Sequence, residues 1–278
     1  MANSMMNNIR KGTCPAMEVR GVDFSYGNNQ ILKGLNLIIK EKSITTIMGA
    51  NGCGKSTLFS LMTKNLEPDS GRVFIRGKNL KNISLKEFAA KVAIVQQYND
   101  APGDITVKQL VSFGRTPYIT LFKDSEKDDE EKIAWAMEVT GMYKYRDREI
   151  SALSGGQRQR AWIAMALAQD TRILFLDEPT TYLDVRYQVE ILELIRSLNE
   201  KFGLTIIMVL HDINQALHYS DEIIGLHNGE AKITGKPEDA INGESVRLLY
   251  GIELDVTEVR GKKVVLPLKK EKQVFYNV

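Results

Sequence analysis

Short runs of apolar and β-branched residues recur along the chain, each closed by turn formers, and they predict strands over residues 17–24, 35–39, 44–48, 72–75, 92–95, 173–176 and 205–210. In Ile173-Leu174-Phe175-Leu176 and Ile206-Ile207-Met208-Val209-Leu210 no polar residue interrupts the run, which is the pattern of parallel strands covered by helices on both faces. Helical patterns alternate with most of these runs, so the prediction is an open α/β sheet. Between Tyr98 and Ser151 the strand signal stops. Helical runs over 106–113 and 130–139 stand there instead, separated by Pro117 and the acidic stretch 124–129, and they predict a helical insertion into the sheet domain. After Leu210 follow a short helix over 213–219, a hairpin turning at Asn228-Gly229, and two strand-like runs about Gly261. No internal repeat or low-complexity stretch is present.

Composition narrows this picture only a little. A chain of 278 residues has room for one large α/β domain with a subdomain, or for two small domains. With 43% hydrophobic and 26% charged residues it has the proportions of a soluble globular protein. A net charge of +2 supplies no basic field for nucleic acid, and Lys269, Lys270 and Lys272 read as a solvated tail. Cys14 and Cys53 make no disulfide framework, so a reducing cytoplasm is expected. No apolar run approaches the roughly 18–20 residues that span a bilayer, and residues 1–16 read as a loose leader without the apolar core of a signal peptide. Any membrane role is therefore expected through partners.

The candidate chemistry begins at Gly49-Ala50-Asn51-Gly52-Cys53-Gly54-Lys55-Ser56-Thr57, which satisfies the phosphate-loop pattern G-x-x-x-x-G-K-[ST] between a predicted strand and a predicted helix. Glycines let successive N–H groups face phosphates, the helix N-terminus adds its positive end, Lys55 reaches β/γ oxygens and Ser56 suits Mg²⁺. Cys53 within this loop reads as packing, with positive neighbours that would lower its thiol pKa. A phosphate loop alone indicates only nucleoside triphosphate binding, because kinases, GTPases and motors all use one. The strand at 173–176 ends in Asp177-Glu178, where Asp177 suits Mg²⁺ and Glu178 is placed to polarise a water for attack on a γ-phosphate. A solvated strand end is the alternative. Leu153-Ser154-Gly155-Gly156-Gln157 precedes an apolar helix that Ser154 can cap, yet two glycines in a first helical turn are costly unless bare N–H groups there approach a phosphate. One nucleotide has no need of two such cradles from the same chain, unless the second serves a partner's ATP.

In this order and spacing, the Lys55 loop, residues 153–157 and Asp177-Glu178 resemble the nucleotide-binding subunit of ATP-binding cassette transporters, over nearly the whole chain. The resemblance implies that Tyr26 stacks on adenine, Gln97 joins Mg²⁺ to the helical subdomain, Asp184 faces a partner and His211 senses the γ-phosphate. By residue chemistry alone, Tyr26 is also an ordinary strand-end aromatic, Gln96 competes with Gln97, and His211 also suits a helix cap. The fold implied is a P-loop NTPase: a RecA-like core sheet within 17–235, a small antiparallel β subdomain near 17–40 and 72–76, an inserted helical subdomain about 98–151, and a C-terminal cap over 236–278. Two copies are expected head to tail with ATP and Mg²⁺ between them, on the cytoplasmic face of the membrane beneath integral permease subunits. An extracytoplasmic solute-binding protein would act indirectly, and nucleic acid is not expected as a partner. Thr180-Thr181-Tyr182-Leu183-Asp184, Gly114-Arg115-Thr116-Pro117-Tyr118 and the tail 251–268 further resemble importers of iron chelates, haem and cobalamin, with an iron chelate the first expectation; none of the three is expected to touch cargo, and they are candidates for permease docking instead. A P-loop kinase would not need residues 153–157. A soluble cassette ATPase acting on nucleic acid or ribosomes would carry long coiled coils or tandem cassettes.

Overall fold

A computed structural model describes residues 14–118 and 126–267, so most of the expected leader and the Lys269, Lys270 and Lys272 tail lie outside the described residues. In chain order the strands are β1 (Met17–Tyr26), β2 (Asn29–Ile39), β3 (Ile44–Met48), β4 (Ser70–Ile75), β5 (Lys78–Asn79), β6 (Val92–Val95), β7 (Ile173–Asp177), β8 (Thr205–Val209), β9 (Glu222–His227), β10 (Glu230–Gly235), β11 (Asp255–Val259) and β12 (Lys262–Leu266). The helices are α1 (Lys55–Met62), α2 (Leu85–Ala89), α3 (Val107–Ser112), α4 (Glu126–Val139), α5 (Gly155–Ala168), α6 (Val185–Phe202), α7 (Ile213–Tyr219), α8 (Pro237–Ala240) and α9 (Gly243–Tyr250).

The larger sheet runs β10-β9-β3-β8-β7-β6, with β9, β3, β8, β7 and β6 parallel and β10 closing the edge as an antiparallel hairpin. Period-two alternation explains its unbroken apolar strands. On β7, Ile173 and Phe175 enter one core while Leu174 and Leu176 enter the other, and on β8 Ile207 and Val209 part in the same way from Ile206 and Met208. The smaller antiparallel sheet, β2-β1-β4-β5, covers one face. Helix α1 lies between the sheets: Leu58, Phe59, Leu61 and Met62 share a core with Ile47, Phe175 and Ile207 of one and Val19, Leu37 and Val73 of the other. Each such side chain contributes roughly 1.5–3 kcal/mol on burial, and the Phe59 and Phe175 rings meet edge to face at 5.3 Å. The helix that carries the phosphate loop is thereby anchored on both sides.

Two boundaries differ from the sequence expectation. The hairpin β1–β2 extends to a tight turn at Gly27-Asn28, so β2 starts six residues earlier than its hydrophobic run, because pairing of Ser25 with Gln30 and Tyr26 with Asn29 continues through polar residues. The acidic stretch is also partly helical: α4 already runs from Glu126, and Asp128 and Asp129 in its opening turns face Arg115. Acidic side chains suit the positive end of a helix.

Helices α3, α4 and α5 pack on one another beside β6. Arg115 ties them together. Its guanidinium is only 6% exposed, donates to Asp129 Oδ1 at 2.7 Å and to the Ala168 carbonyl at 2.8 Å, and lies 4.2 Å from the centre of the Tyr118 ring. The Gly114–Tyr118 segment thus commits its cation to the interior of the lobe.

Candidate nucleotide site

The carboxyl ends of the parallel strands meet at one edge, where open α/β sheets bind ligands. There β3 delivers the phosphate loop, β6 leads to Gln97, β7 ends in Asp177 and Glu178, and β8 leads to His211. Gly49 is required by close approach: a Cβ on it would stand 2.3 Å from the Leu226 carbonyl oxygen. Lys55 is 7% exposed, and its ammonium donates to the carbonyls of Gly49 and Ala50, each at 2.8 Å. Asn51, Gly52 and Ser56 face solvent on the outer side of the loop, whereas Cys53, Gly54 and Thr57 are buried. Burial pushes the Cys53 thiol pKa up, and the nearby Lys55 charge opposes this without reversing it. The expectation of an activated thiol is therefore corrected, since desolvation of the thiolate outweighs the attraction of one ammonium.

Glu178 is the centre of the site. Its backbone lies at φ +49, a left-handed conformation that costs a non-glycine residue roughly 1–2 kcal/mol. One carboxylate oxygen meets His211 Nε2 at 2.5 Å; the other accepts from Gln97 Nε2 at 2.6 Å and from the Thr181 hydroxyl at 3.0 Å. Gln97 and His211, remote in sequence, and the neighbouring Thr181 thus aim one carboxylate. Gln97 rather than Gln96 makes this contact, while Gln96 offers its main-chain carbonyl to Asn99. Thr181 was not singled out by sequence, because no pattern marks a threonine three residues beyond an acid as its hydrogen-bond donor.

Ser154, Gly155, Gly156 and Gln157 stand apart from this cluster, and among the described residues no hydrogen bond joins them to the Lys55 loop. Ser154 caps α5 in a reciprocal box, accepting from the Gln157 N–H at 3.3 Å while Gln157 Oε1 accepts from the Ser154 N–H at 3.1 Å. Gly156 has a packing reason of its own: a Cβ there would lie 2.5 Å from the Tyr187 ring. Gly155, exposed beside it, has no comparable clash. Asp184 is exposed and caps α6 by accepting from the Tyr187 N–H at 3.1 Å. Tyr26 is half exposed at the hairpin tip, its ring edge-on to Phe24 at 4.9 Å. The same hairpin borders the phosphate loop, because Lys33 N donates to Gly229 O and Gly229 N donates to Cys53 O at 3.2 Å.

The donors at the strand edge fit Mg²⁺. Among the described residues no cluster of three or more His, Cys, Asp or Glu side chains would hold a metal by itself. The Ser56 hydroxyl, the Asp177 carboxylate and the Gln97 amide are instead hard oxygen donors of the kind Mg²⁺ uses together with phosphate oxygens and water. Burial first, and the adjacent Glu178 charge second, push the Asp177 carboxyl up to about 6. At neutral pH it is an ionised group in surroundings that favour its neutral form, and a bound cation would reverse that preference.

With a folded value of about 6 for the Asp177 carboxyl against 3.8 in the unfolded chain, the folded state holds more protons between those values, so this group's contribution falls as pH rises from about 4 to 6 and is flat above. Asp177→Asn is expected to stabilise the fold in chelator at pH 7.5 by roughly 1–2 kcal/mol after allowance for partial exposure, read as a higher melting temperature, and to leave the melting temperature unchanged near pH 4. Thermal melts at the two pH values decide it, and a lower melting temperature at pH 7.5 would contradict the assignment.

The fold and this edge define a P-loop ATPase cassette. The ABC transporter family profile matches residues 32–181, and the chain belongs to that family, as an ATP-hydrolysing subunit coupled to transport. It is 42% identical over 261 residues to the petrobactin import ATP-binding protein FpuD of Bacillus anthracis, covering 93% of this chain and 96% of that protein. It is 41% identical over 245 residues to the ferric enterobactin transport ATP-binding protein FepC of Escherichia coli, covering 87% of this chain and 90% of that one. Among solved structures, a dimeric bacterial ABC transporter cassette superposes with a TM-score of 0.69 at 28% identity, covering 80% of this chain and 98% of that one.

Proposed function

We propose that this chain is the ATP-binding and ATP-hydrolysing subunit that drives import of a ferric siderophore through membrane permease subunits. The observation that carries the ATPase part is the Glu178 carboxylate, clamped by Gln97, Thr181 and His211 at the strand edge beside the phosphate loop. Mg²⁺, when bound with ATP, would neutralise charge developing on the β- and γ-phosphate oxygens. Ser56, Asp177 and Gln97 are the side chains to hold it. Lys55 leaves its two loop carbonyls to meet phosphate oxygens, and the loop N–H groups with the N-terminus of α1 add the remaining positive potential. Glu178 retains a free lone pair, since three hydrogen bonds occupy three of the four acceptor positions of a carboxylate, and through it receives the proton of the attacking water. That lone pair lies on the oxygen that meets His211, because the other already accepts from Gln97 and Thr181, and the His211 contact fixes its direction. Tyr26 stacks on the adenine.

A second copy completes each site in this reading. Ser154 and Gly155 are exposed at the start of α5, and Tyr182, Val185 and Val189 form an exposed apolar strip beside Asp184, with Tyr182 79% and Val185 75% exposed. Such a strip favours contact with another protein surface. The dimer would lie peripherally at the cytoplasmic face of the membrane; among the described residues no helix is long and apolar enough to cross it. An extracytoplasmic solute-binding protein would deliver the cargo to the permease. The named cargoes of the relatives, petrobactin and ferric enterobactin, support an iron chelate. Uptake of radiolabelled ferric siderophore, haem and cobalamin should be compared in cells carrying wild-type or Glu178→Gln protein. Loss of ferric siderophore uptake alone is expected; equal uptake of all three by both strains would sink the cargo assignment.

A further inference from the structure

Beside the phosphate loop lies the end of α9, far along the chain from every recognised motif. The helix is rigidly placed: Asn242 and Ser245 form a capping box at its start, Gly251 closes its end at φ +69, and Val246 and Leu249 are fully buried. Its carboxyl end reaches the loop directly, since the Ala50 N–H donates to the Leu249 carbonyl at 3.3 Å. Tyr250, the last residue of the helix, has a buried hydroxyl with no hydrogen-bond partner among the described residues. The main-chain N–H of Gly49 faces that oxygen, and the charges of Cys53 and Asp212 act on the hydroxyl. Desolvation keeps the phenol protonated, available both to donate and to accept.

A buried hydroxyl without a partner is unfavourable, whereas a phenylalanine ring would fill the same volume without that penalty. What the hydroxyl gains is visible in the loop. Lys55 now holds the carbonyls of Gly49 and Ala50; Leu249 accepts from the N–H of the same Gly49–Ala50 peptide, and Tyr250 faces the Gly49 N–H, one peptide earlier. When Lys55 turns to a phosphate, the Gly49 carbonyl loses a charged partner, and a small rotation at Gly49 brings its N–H within reach of the waiting hydroxyl. We propose that Tyr250 is a positioning residue of the nucleotide site, closing a hydrogen bond to the first turn of the phosphate loop once Lys55 has left it. The inference rests on the ATP reading above and adds the C-terminal helix to the machinery of the same site.

The test separates this role from packing by the sign of two measurements on the purified full-length chain. Tyr250→Phe is expected to leave the melting temperature in nucleotide-free buffer unchanged or higher, and to weaken ADP binding without Mg²⁺, measured by titration calorimetry, about fivefold. That ratio corresponds to one ordinary hydrogen bond of ~1 kcal/mol. Tyr219→Phe, which removes a hydroxyl bonded to Glu193 at 3.0 Å, serves as the control and should leave ADP affinity unchanged. Unchanged ADP affinity in Tyr250→Phe overturns the positioning role, and a parallel fall in melting temperature and affinity assigns the hydroxyl to folding instead. Absence of ADP and ATP binding by the wild-type chain would remove the ATP reading itself, an outcome distinct from both.

Discussion

Glu178→Gln is expected to reduce ATP turnover by roughly 10²–10⁴-fold while leaving ATP binding intact, the range associated with loss of a positioned general base. The amide keeps the length and planarity of the carboxylate, so the substitution removes basicity with little change of volume. A chain that binds but does not cleave should accumulate as an ATP-bound dimer. Phosphate release from the purified transporter, together with size-exclusion chromatography in ATP, checks both halves of the expectation. Turnover at the wild-type rate would remove Glu178 from the catalytic role, and His211, Gln97 and Thr181 would then be holding a structural acid.

The second large effect concerns which chain completes the site. Lys55→Ala removes the cation that now bridges the Gly49 and Ala50 carbonyls, and each homodimer of that variant should lack ATP binding and turnover. Ser154→Arg should likewise inactivate its homodimer by placing a long charged side chain at the exposed start of α5. A mixed dimer of one Lys55→Ala chain and one Ser154→Arg chain is different. If the Ser154 loop serves the opposite subunit, one site of the mixed dimer pairs an intact Lys55 with an intact Ser154, and one tightly held ATP per dimer is expected. If both loops served the same chain, neither site would be whole and the mixed dimer would bind none. Counting bound nucleotide decides between these outcomes even where hydrolysis requires both sites to act together.

The two glycines at 155–156 illustrate how far sequence reasoning reached. Their cost in a helical first turn points to a phosphate, yet Tyr187, contributed by another helix, gives Gly156 a steric reason that no local pattern contains. Arg115 is similar: its segment resembles a family signature, but only the packed lobe reveals a buried guanidinium shared by Asp129 and the end of α5. The Cys53 thiol went the opposite way from its expectation, because neighbouring charge is legible along the chain whereas burial is not.

The sequence by itself determined the parts whose physics is local. Period-two and uninterrupted apolar runs specify strands, a glycine-rich turn between strand and helix specifies a phosphate loop, and a serine three residues before a glutamine specifies the cap of α5. Backbone sterics and hydrogen bonding act there over a few residues, so the letters suffice. Only the tertiary structure decided which side chains converge. Gln97 and His211 reach Glu178 because β6, β7 and β8 are parallel neighbours in one sheet, and the end of α9 reaches the phosphate loop because the Leu249 carbonyl folds back onto Ala50. These contacts depend on strand order and on the burial of surfaces distant along the chain, and neither quantity is encoded in any short window of residues.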